Sequence, residues 1–384
     1  MREPRTGPVS LDVREDMGIG LARTLGVETE ETGTQPFDDA LVHTTDGAPG
    51  IRRRRCGRGW AYRWPDGALI RDPAVRARIA SIAVPPAWTD VWICPRPNGH
   101  LQATGRDDRG RKQYRYHPLW CERRRERKFD RLPSLGLGLP ALHARVRADL
   151  RAPRLSRRRV VAAVVTVIAE TFVRIGHREY TRENGSYGAT TLRDEHVSVE
   201  GARLRLCFVA KGGREREIEW RDRAVARVVR RCHELPCQHL FSYRDPGRGP
   251  QPVRSDDVNA YLEGTLGPGH TAKALRTWGG TLRAFERLRT RADAPDREAA
   301  VREVLAEVAG VLGNTRRTTE QHYVHPRVIE AYREGALHER PIRRAVRRGS
   351  WYGASFEDAP FGHGASAAGL LCLLDGDAVR RCAA

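Results

Sequence analysis

Lysine is scarce in this chain, which has 68 basic residues but only four lysines: Lys112, Lys128, Lys211 and Lys273. Either basic residue serves on a solvated surface, so replacing lysine by arginine costs nothing there. A lysine that remains is therefore a candidate for work that arginine cannot do. Its ammonium group is a compact point charge that can release a proton, whereas guanidinium practically never does.

Long apolar runs and a cysteine framework are also missing. The longest apolar run, residues 160–169, is interrupted by Thr166 and is too short to span a bilayer. The eight cysteines have no disulfide spacing, and the first residues lack the pattern of a signal peptide. These absences predict a cytoplasmic protein with reduced thiols and no membrane partner.

A metal site is not expected either. Cys232, His233, Cys237 and His239 lie close together in the sequence, but their spacing matches no standard zinc pattern, and Pro236 marks a turn between them. We therefore predict no metal ion and no other cofactor.

Positive charge is abundant but unevenly distributed. The net charge is +20, although residues 1–50 hold ten acidic and only four basic side chains, which leaves +26 on the rest of the chain. A surplus of this size predicts a polyanionic partner, most simply nucleic acid, and a merely solvated basic surface is the alternative. Residues 1–48 have no hydrophobic period and are predicted to form an acidic, disordered head.

Residues 49–130 have the pattern of a small β-rich domain. A hairpin is predicted at residues 51–67, a short helix at 73–82, and two strands on either side of a tight turn at Asn98. The next segment, RGRKQYRYHPLW, interleaves basic and aromatic side chains, a mixture that suits a strand laid along DNA. Its candidate DNA-binding residues are Arg109, Lys112, Gln113, Tyr114 and Tyr116.

Residues 131–341 are predicted to form a larger, mainly helical domain. The Gly/Pro-rich segment at 132–140 predicts a break at the domain boundary, and a buried central helix follows and ends near Arg174, with Gly176 as its left-handed cap. A three-stranded β meander carries Lys211 at its second turn, and Lys273 and Arg276 share one face of a later helix. The fold class is therefore α+β, with residues 342–384 left as an unassigned tail.

Residues 312–326 hold one tyrosine, Tyr323, between two histidines in a basic stretch. Asn314 and Thr315 are predicted to cap a short helix that ends near Tyr323, and Pro326 would stop or kink it. A tyrosine oxygen beside cations can attack phosphorus and hold it covalently. The alternative is a buried core tyrosine whose hydroxyl has a hydrogen-bond partner.

With these elements in order, residues 51–335 resemble the type IB DNA topoisomerases of the compact bacterial and poxvirus kind. The shared motifs are PPAWTDVWICP, GHLQATGRDDRGRKQYRYHP, RIGHREY, YGATTLRDEHV, FVAKG, LRTWGGT, LGNT and YVHP. The resemblance implies relaxation of supercoiled DNA by transient cleavage of one strand, through a 3′-phosphotyrosyl intermediate and without ATP or metal.

The same resemblance implies a catalytic role for five residues. Tyr323 matches the nucleophile, Arg174 and Arg276 match the two arginines that bind the phosphate, and Asn314 matches a position that donates a hydrogen bond. Lys211 matches the hairpin lysine that protonates the leaving oxygen. The family usually has asparagine where this chain has His177.

The resemblance also implies how DNA is bound. Gln113, Tyr114 and Tyr116 match the strand that contacts the major groove, and Lys273 matches a lysine near the scissile phosphate. We expect a monomer that closes around double-stranded DNA and is associated with the nucleoid.

Two other functions remain open from the sequence. A tyrosine site-specific recombinase uses the same kind of site, but it usually presents His-x-x-Arg where this chain has Lys273 and Arg276. A non-catalytic DNA-binding protein would explain the charge and the Gln-Tyr-Arg-Tyr strand. It would not explain why the chain combines four catalytic residue types: Arg174, Lys211, Arg276 and Tyr323.

Overall fold

A computed structural model describes residues 41–337 and 364–375, and their fold is α+β as predicted. A five-stranded antiparallel sheet comes first in the chain, and a set of helices with a three-stranded antiparallel sheet follows it. The basic and aromatic strand (residues 112–116) is therefore far in sequence from the residues around Tyr323. The helix that follows this strand, residues 118–130, contacts the Tyr323 segment.

The N-terminal sheet has the strand order β2-β1-β3-β4-β5, and every pairing in it is antiparallel. Its strands are β1 (Ile51–Cys56), β2 (Gly59–Arg63), β3 (Thr89–Ile93), β4 (Leu101–Arg106) and β5 (Lys112–Tyr116). Helix α1 (Pro73–Ser81), predicted at 73–82, packs Ile79 against Ile51 and Ile93 of the sheet. Strand β5 lies at an edge, so one side of its backbone is available to a partner.

The acidic head was predicted to be disordered through residue 48, and this is wrong for residues 41–48. Val42 exchanges backbone hydrogen bonds with Asn98 and His100, each at 2.9 Å, and the indole nitrogen of Trp92 donates to the Ala48 carbonyl. Leu41 is buried. The last part of the head is therefore packed on the sheet, and residues 1–40 lie outside the described residues.

The remaining helices are α2 (Pro118–Asp130), α3 (Leu132–Arg151), α4 (Arg157–Thr171), α5 (Arg178–Asn184), α6 (Arg223–His233), α7 (Ser255–Leu266), α8 (Ala272–Arg289), α9 (Arg297–Leu312), α10 (Arg316–His322), α11 (Pro326–Arg333) and α12 (Gly364–Leu374). The strands among them are β6 (Val197–Glu200), β7 (Arg203–Ala210), β8 (Arg214–Arg221), β9 (Ser242–Asp245) and β10 (Gly249–Pro252). Helix α4 is the predicted central helix, because each of its residues from 159 to 168 is buried.

The predicted Gly/Pro break at 132–140 is wrong, because these residues form the first half of α3. Pro133 lies in the first turn, where no intrahelical N–H partner is needed. Gly136 faces Trp278 of α8 so closely that a methyl group there would lie 2.4 Å from the indole ring. The glycine marks a close helix contact and not a loop, and the domain division at residue 131 stays a prediction.

The left-handed cap of α4 is Phe172, with φ +54°, and not Gly176 as predicted. The helix ends three residues before Arg174, so Arg174 lies in the extended segment that leaves it. The backbone of Arg174 therefore makes no helical hydrogen bonds and can bond to another segment.

Part of the unassigned tail is described, and it returns to the core. Helix α12 buries Leu370 and Leu371 and contacts α3 and α8. None of the helices in the described ranges is both long and apolar enough to cross a membrane.

Candidate active site

The segment that carries Tyr323 is a joint between three helices. Helix α9 ends at Leu312, and Gly313, with a φ of +64°, is the left-handed residue that caps it. Thr315 caps α10 as predicted, since its hydroxyl accepts the N–H of Thr318. Tyr323 is the residue immediately after α10. The sequence suggested that Pro326 would stop or kink this helix, but Pro326 is instead the first residue of α11.

The backbone of Tyr323 is held from one side by helix α8. The hydroxyl of Thr281 donates to the Tyr323 carbonyl at 3.2 Å and accepts the N–H of His325 at 3.1 Å. Val324 is fully buried between them. The side chain of Tyr323 itself is half-buried, so it is not the enclosed core tyrosine of the alternative interpretation.

Arg276 approaches the ring of Tyr323 from α8. Its Cζ lies 5.4 Å from the ring centroid, and the side chain is only 3% exposed. Nη2 donates to the Leu312 carbonyl at 3.0 Å, whereas Nε and Nη1 have no acceptor among the described residues. A buried guanidinium with donors left over is arranged to receive an anion.

Burial lowers the pKa of Arg276, the Tyr323 hydroxyl raises it, and the positive charge of Arg174 lowers it further. The pKa of Arg174 is also lowered, mainly by burial. Two desolvated guanidinium groups therefore lie close to one tyrosine. Their mutual repulsion is a cost that a bound phosphate would remove.

Arg174 is joined to Asn314, which precedes α10. Its Nη2 donates to the side-chain oxygen of Asn314 and to the Gly313 carbonyl, the second at 3.3 Å. Asn314 is thus a partner of Arg174, and it is not the helix cap predicted from the sequence. Its amide nitrogen is buried and has no acceptor among the described residues, so this donor is also left for a ligand.

The backbone around Arg174 is held by the YGATT motif. Ala189 donates to the Arg174 carbonyl at 2.8 Å, and Thr190 donates to the Ile175 carbonyl at 2.7 Å. A methyl group on Gly188 would lie 2.5 Å from the Arg174 carbonyl oxygen, so only glycine permits this approach. The motif therefore places Arg174 although it contributes no charged group.

Lys211 lies at the tip of the hairpin between β7 and β8, as predicted. Gly212 and Gly213 both have positive φ there, which suits a tight turn. The strand that leaves the tip is fixed to the joint: Arg214 donates to the Asn314 carbonyl at 3.3 Å, and Arg216 donates to carbonyls in the last turn of α9. The hairpin is thus attached beside the site, and Lys211 itself is exposed.

The structure brings four of the five predicted catalytic residues into contact or into electrostatic range. These are Arg174, Arg276, Asn314 and Tyr323, linked by the contacts above. The fifth, Lys211, follows Ala210, which lines one small crevice together with Arg174 and Arg276. Strand β7 therefore ends next to Arg174 and Arg276, and Lys211 is the first residue after the strand.

The candidate DNA-binding residues lie mainly on edge strand β5. Tyr114 and Tyr116 share one face, as predicted, with ring centroids 6.0 Å apart, and both are exposed. Arg109 is exposed in the turn before the strand. Two stacked tyrosines that are exposed on a sheet edge present both apolar rings and hydroxyl groups to solvent. Tyrosines that served only to pack against the core would be buried.

Two other members of this set are engaged within the protein. Gln113 donates to the Asp107 carboxylate at 2.9 Å, and Lys112 forms a 2.6 Å ion pair with Asp46 at the end of the head. Burial raises the pKa of Asp46, but hydrogen bonds from Lys112 and Thr104 outweigh it, so that the pKa is lowered. DNA that used Lys112 would have to compete with this carboxylate.

Lys273 is exposed one turn before Arg276 on α8. Its charge lowers the pKa of His322, after burial and Lys128, which shows that it lies near the Tyr323 segment. The structure therefore brings Lys273 close to the nucleophile candidate, in agreement with the shared helical face expected from the sequence.

Cys232 belongs to the core. Its thiol is buried, donates to the Ser242 carbonyl at 3.3 Å, and has a pKa raised to about 12 by burial. Across residues 41–337 and 364–375 there is no group of three or more His, Cys, Asp or Glu side chains that could hold a metal ion.

Sequence reasoning missed several residues that build the site. Arg214, Arg216 and Thr281 fix the joint through backbone carbonyls, and nothing in their sequence pattern distinguishes them from other polar residues. Lys128 is different: its Nζ donates to the His322 carbonyl at 2.8 Å. The scarcity of lysine was a signal that could have drawn attention to it.

Helix α8 can approach the Tyr323 segment because residue 280 is glycine. A methyl group at Gly280 would lie 2.7 Å from the Tyr323 carbonyl oxygen. We expect Gly280→Ala to displace the tyrosine and to lower the rate of DNA cleavage about 100-fold, because a shift of about 1 Å in a reacting group can reduce a catalytic rate by this factor. The measurement is single-turnover cleavage, with the thermal unfolding midpoint recorded in parallel.

Gly310→Ala is the matched control, because a methyl group at this helical glycine meets nothing within 4 Å. Alanine is favoured over glycine in a helix by about 1 kcal/mol. The control should therefore keep its cleavage rate and unfold at the same or a higher temperature. Equal cleavage rates for the two variants would contradict the assigned role of Gly280.

Two family models match the chain. Residues 59–107 match the bacterial DNA topoisomerase IB N-terminal domain, and residues 118–341 match the eukaryotic DNA topoisomerase I catalytic core. The second match covers more than half of the chain and includes the arginines, the hairpin lysine and Tyr323.

A curated relative and two solved structures are also similar. The DNA topoisomerase 1B of Acanthamoeba polyphaga mimivirus is 28% identical over 293 residues, which is 74% of this chain and 87% of the relative. The XerH site-specific recombinase bound to difH substrate, in its pre-cleavage complex, is 14% identical with a TM-score of 0.33, covering 51% of each chain.

The post-cleavage complex of XerH with palindromic difH substrate is 15% identical, with a TM-score of 0.32, over 48% of this chain and 47% of that chain. The chain thus spans about half the length of the recombinase chains. A likeness this distant carries no conclusion about function.

Proposed function

The chain belongs to the DNA topoisomerase IB family, and from this premise we propose that it relaxes supercoiled DNA by cutting and rejoining one strand through Tyr323. The observation that carries the proposal is the convergence of Arg174, Arg276 and Asn314 beside Tyr323. Buried N–H groups of Arg276 and Asn314 have no hydrogen-bond acceptor among the described residues. A non-catalytic DNA-binding protein would have no need for this arrangement.

In the cleavage step, the hydroxyl oxygen of Tyr323 attacks the phosphorus of a phosphodiester and loses its proton. A bond forms between that oxygen and phosphorus, the bond from phosphorus to the 5′-oxygen breaks, and a 3′-phosphotyrosyl link results. Two non-bridging oxygens carry the developing negative charge. Arg174 and Arg276 donate to them, and the Asn314 amide adds a neutral hydrogen bond.

The leaving 5′-oxygen needs a proton, because an alkoxide is a poor leaving group. Lys211 is the residue we assign to this step, since ammonium is a far stronger acid than guanidinium. A hairpin tip is a suitable carrier: the strand after the tip is fixed to the joint by Arg214 and Arg216, while the exposed lysine on the turn can reach a bound strand. The free 5′ end then rotates, and its hydroxyl attacks the phosphotyrosine to restore the DNA.

The proposal includes a monomer that acts on duplex DNA. All contacts among Arg174, Arg276, Asn314 and Tyr323 occur within one chain, so no second subunit is needed to complete the site. The exposed tyrosines of β5 and the basic surface would supply the rest of the binding surface. Cleavage conserves the bond energy in the phosphotyrosine, so no ATP is required.

Plasmid relaxation tests the proposal. We expect the purified protein to relax both negatively and positively supercoiled plasmid in EDTA and without ATP, because side-chain charges supply the neutralisation that a metal ion would otherwise provide. The plasmid should carry no paired target sites. Agarose gels of time courses at two salt concentrations give the rate.

The results separate the rival functions. A protein that binds the plasmid but never changes its linking number would be a non-catalytic binder. A protein that acts only on plasmids with two copies of a sequence, and yields recombined circles, would be a recombinase. Either result would contradict the proposed function.

A further inference from the structure

Helix α2 directly follows the basic and aromatic strand, and its first turn is attached to the N-terminal sheet. Only His117 separates it from Tyr116 at the end of β5. The backbone N–H of His117 donates to the His100 carbonyl at 2.8 Å, and the ring of Trp120 packs edge-on against His100 at 4.8 Å. Movement of the strand would therefore be transmitted to the start of α2.

The other end of α2 is attached to the residues on both sides of Tyr323. Lys128 donates from Nζ to the His322 carbonyl at 2.8 Å. The neighbouring Phe129, 3% exposed, packs its ring 5.0 Å from that of His325. Together with Thr281 on α8, these contacts hold the Tyr323 segment from two helices.

The ammonium group of Lys128 lies among positive charges. Burial, then the charges of Lys273 and Arg125, lower its pKa to about 7. Among the residues that the structure describes, no carboxylate lies within ion-pair distance of Lys128, so its burial is not compensated by an opposite charge. Its Nζ also lies 3.9 Å from the centroid of the Phe129 ring. Lys128 thus forms no ion pair with the described residues, and the polar group that it contacts is the His322 carbonyl, next to Tyr323.

We propose that Lys128 is a positioning residue, which sets the place of Tyr323 by holding the His322 carbonyl and thereby couples strand β5 to the nucleophile through α2. This inference rests on the proposed function, because it takes Tyr323 as the nucleophile. A helix of 13 residues spans about 20 Å, so α2 connects the two regions as one rigid rod. A DNA phosphate bound near Lys273 would also relieve the crowding of positive charge and strengthen the contact.

Lys128→Met tests the proposal, because methionine has a similar stem but neither charge nor donor. We expect the single-turnover cleavage rate at saturating DNA to fall about 10- to 100-fold. The dissociation constant for DNA, measured with Tyr323→Phe in the background, should change less than about 3-fold. The thermal unfolding midpoint should stay the same or rise, because methionine can keep an apolar contact with the Phe129 ring and removes an ammonium group that lies close to other positive charges.

Two further variants complete the experiment. Lys128→Arg keeps a donor and should recover at least part of the cleavage rate. Arg127→Met removes the same charge from an exposed neighbour on the same helix, and it should keep the wild-type cleavage rate.

The outcomes are distinguishable. Wild-type cleavage by Lys128→Met, in a protein whose parent forms the Tyr323 adduct, would overturn the positioning role and leave the proposed function standing. A midpoint that falls in step with the rate, with no recovery in Lys128→Arg, would assign Lys128 a merely structural role. If the parent forms no adduct at Tyr323, the proposed function fails and the inference with it.

Discussion

Tyr323→Phe should abolish both plasmid relaxation and formation of the covalent DNA adduct, with a loss on the order of 10⁴-fold or more. The substitution removes one oxygen atom, and that oxygen is the group that would attack phosphorus. Binding of DNA should persist, since Arg174, Arg276 and the strand β5 surface are unchanged. The measurement is single-turnover cleavage of a labelled duplex, with binding followed by fluorescence anisotropy.

Tyr243→Phe is the matched control. Tyr243 is a partly buried tyrosine of β9 that packs against the same core, and no hydrogen bond of its hydroxyl is found among the described residues. It should cleave DNA at the wild-type rate. An adduct that survives in Tyr323→Phe would show that another residue is the nucleophile.

Lys211→Arg should lower the cleavage rate of a normal phosphodiester about 10²- to 10⁴-fold, the usual contribution of a general acid. Arginine preserves the positive charge at the hairpin tip, so a purely electrostatic role would predict little change. The loss is expected because guanidinium cannot release a proton at neutral pH. Single-turnover cleavage over a range of pH measures the effect.

A second substrate isolates the proton-transfer step. When sulfur replaces the bridging 5′-oxygen, the leaving thiolate needs no proton. Lys211→Arg should cleave this substrate at nearly the wild-type rate. Equal losses on the two substrates would show that Lys211 binds or positions DNA and does not act as the acid.

The β meander and the central helix could be predicted from sequence because their patterns depend on local burial. Strand β7 occupies the predicted residues, with Leu204, Leu206 and Phe208 buried and the residues between them exposed. Because successive side chains of a strand point to opposite faces of the sheet, this alternation shows that one face is buried and the other is exposed. Helix α4 was equally clear, since its apolar residues continue around the whole helix.

The Gly/Pro-rich start of α3 could not be predicted in the same way. Gly136 has no side chain because Trp278 of α8 occupies the space beside it. The partner helix lies about 140 residues further along the chain, so a local pattern cannot reveal the contact. Sequence alone therefore suggested a loop where tertiary packing requires glycine.

In the site, too, local motifs could be identified from the sequence, whereas long-range contacts could not. The residue types at positions 174, 276 and 323 could be matched to a family by motif, but the partners that hold them could not. Asn314 was expected to cap a helix, whereas it bonds to Arg174, 140 residues away in sequence. The contact of Lys128 with the His322 carbonyl joins residues 194 positions apart, which no short motif encodes.

The central claim is that Tyr323 becomes covalently attached to the 3′ end of a broken DNA strand. The most direct measurement is mass spectrometry of the protein after reaction with a duplex in which the released fragment, the one that carries the new 5′-hydroxyl, is too short to remain base-paired. Its loss prevents religation and traps the intermediate. We predict a single modified peptide that contains Tyr323 and carries a 3′-linked nucleotide. Attachment through a 5′ phosphate, attachment at another residue, or no adduct would contradict the account.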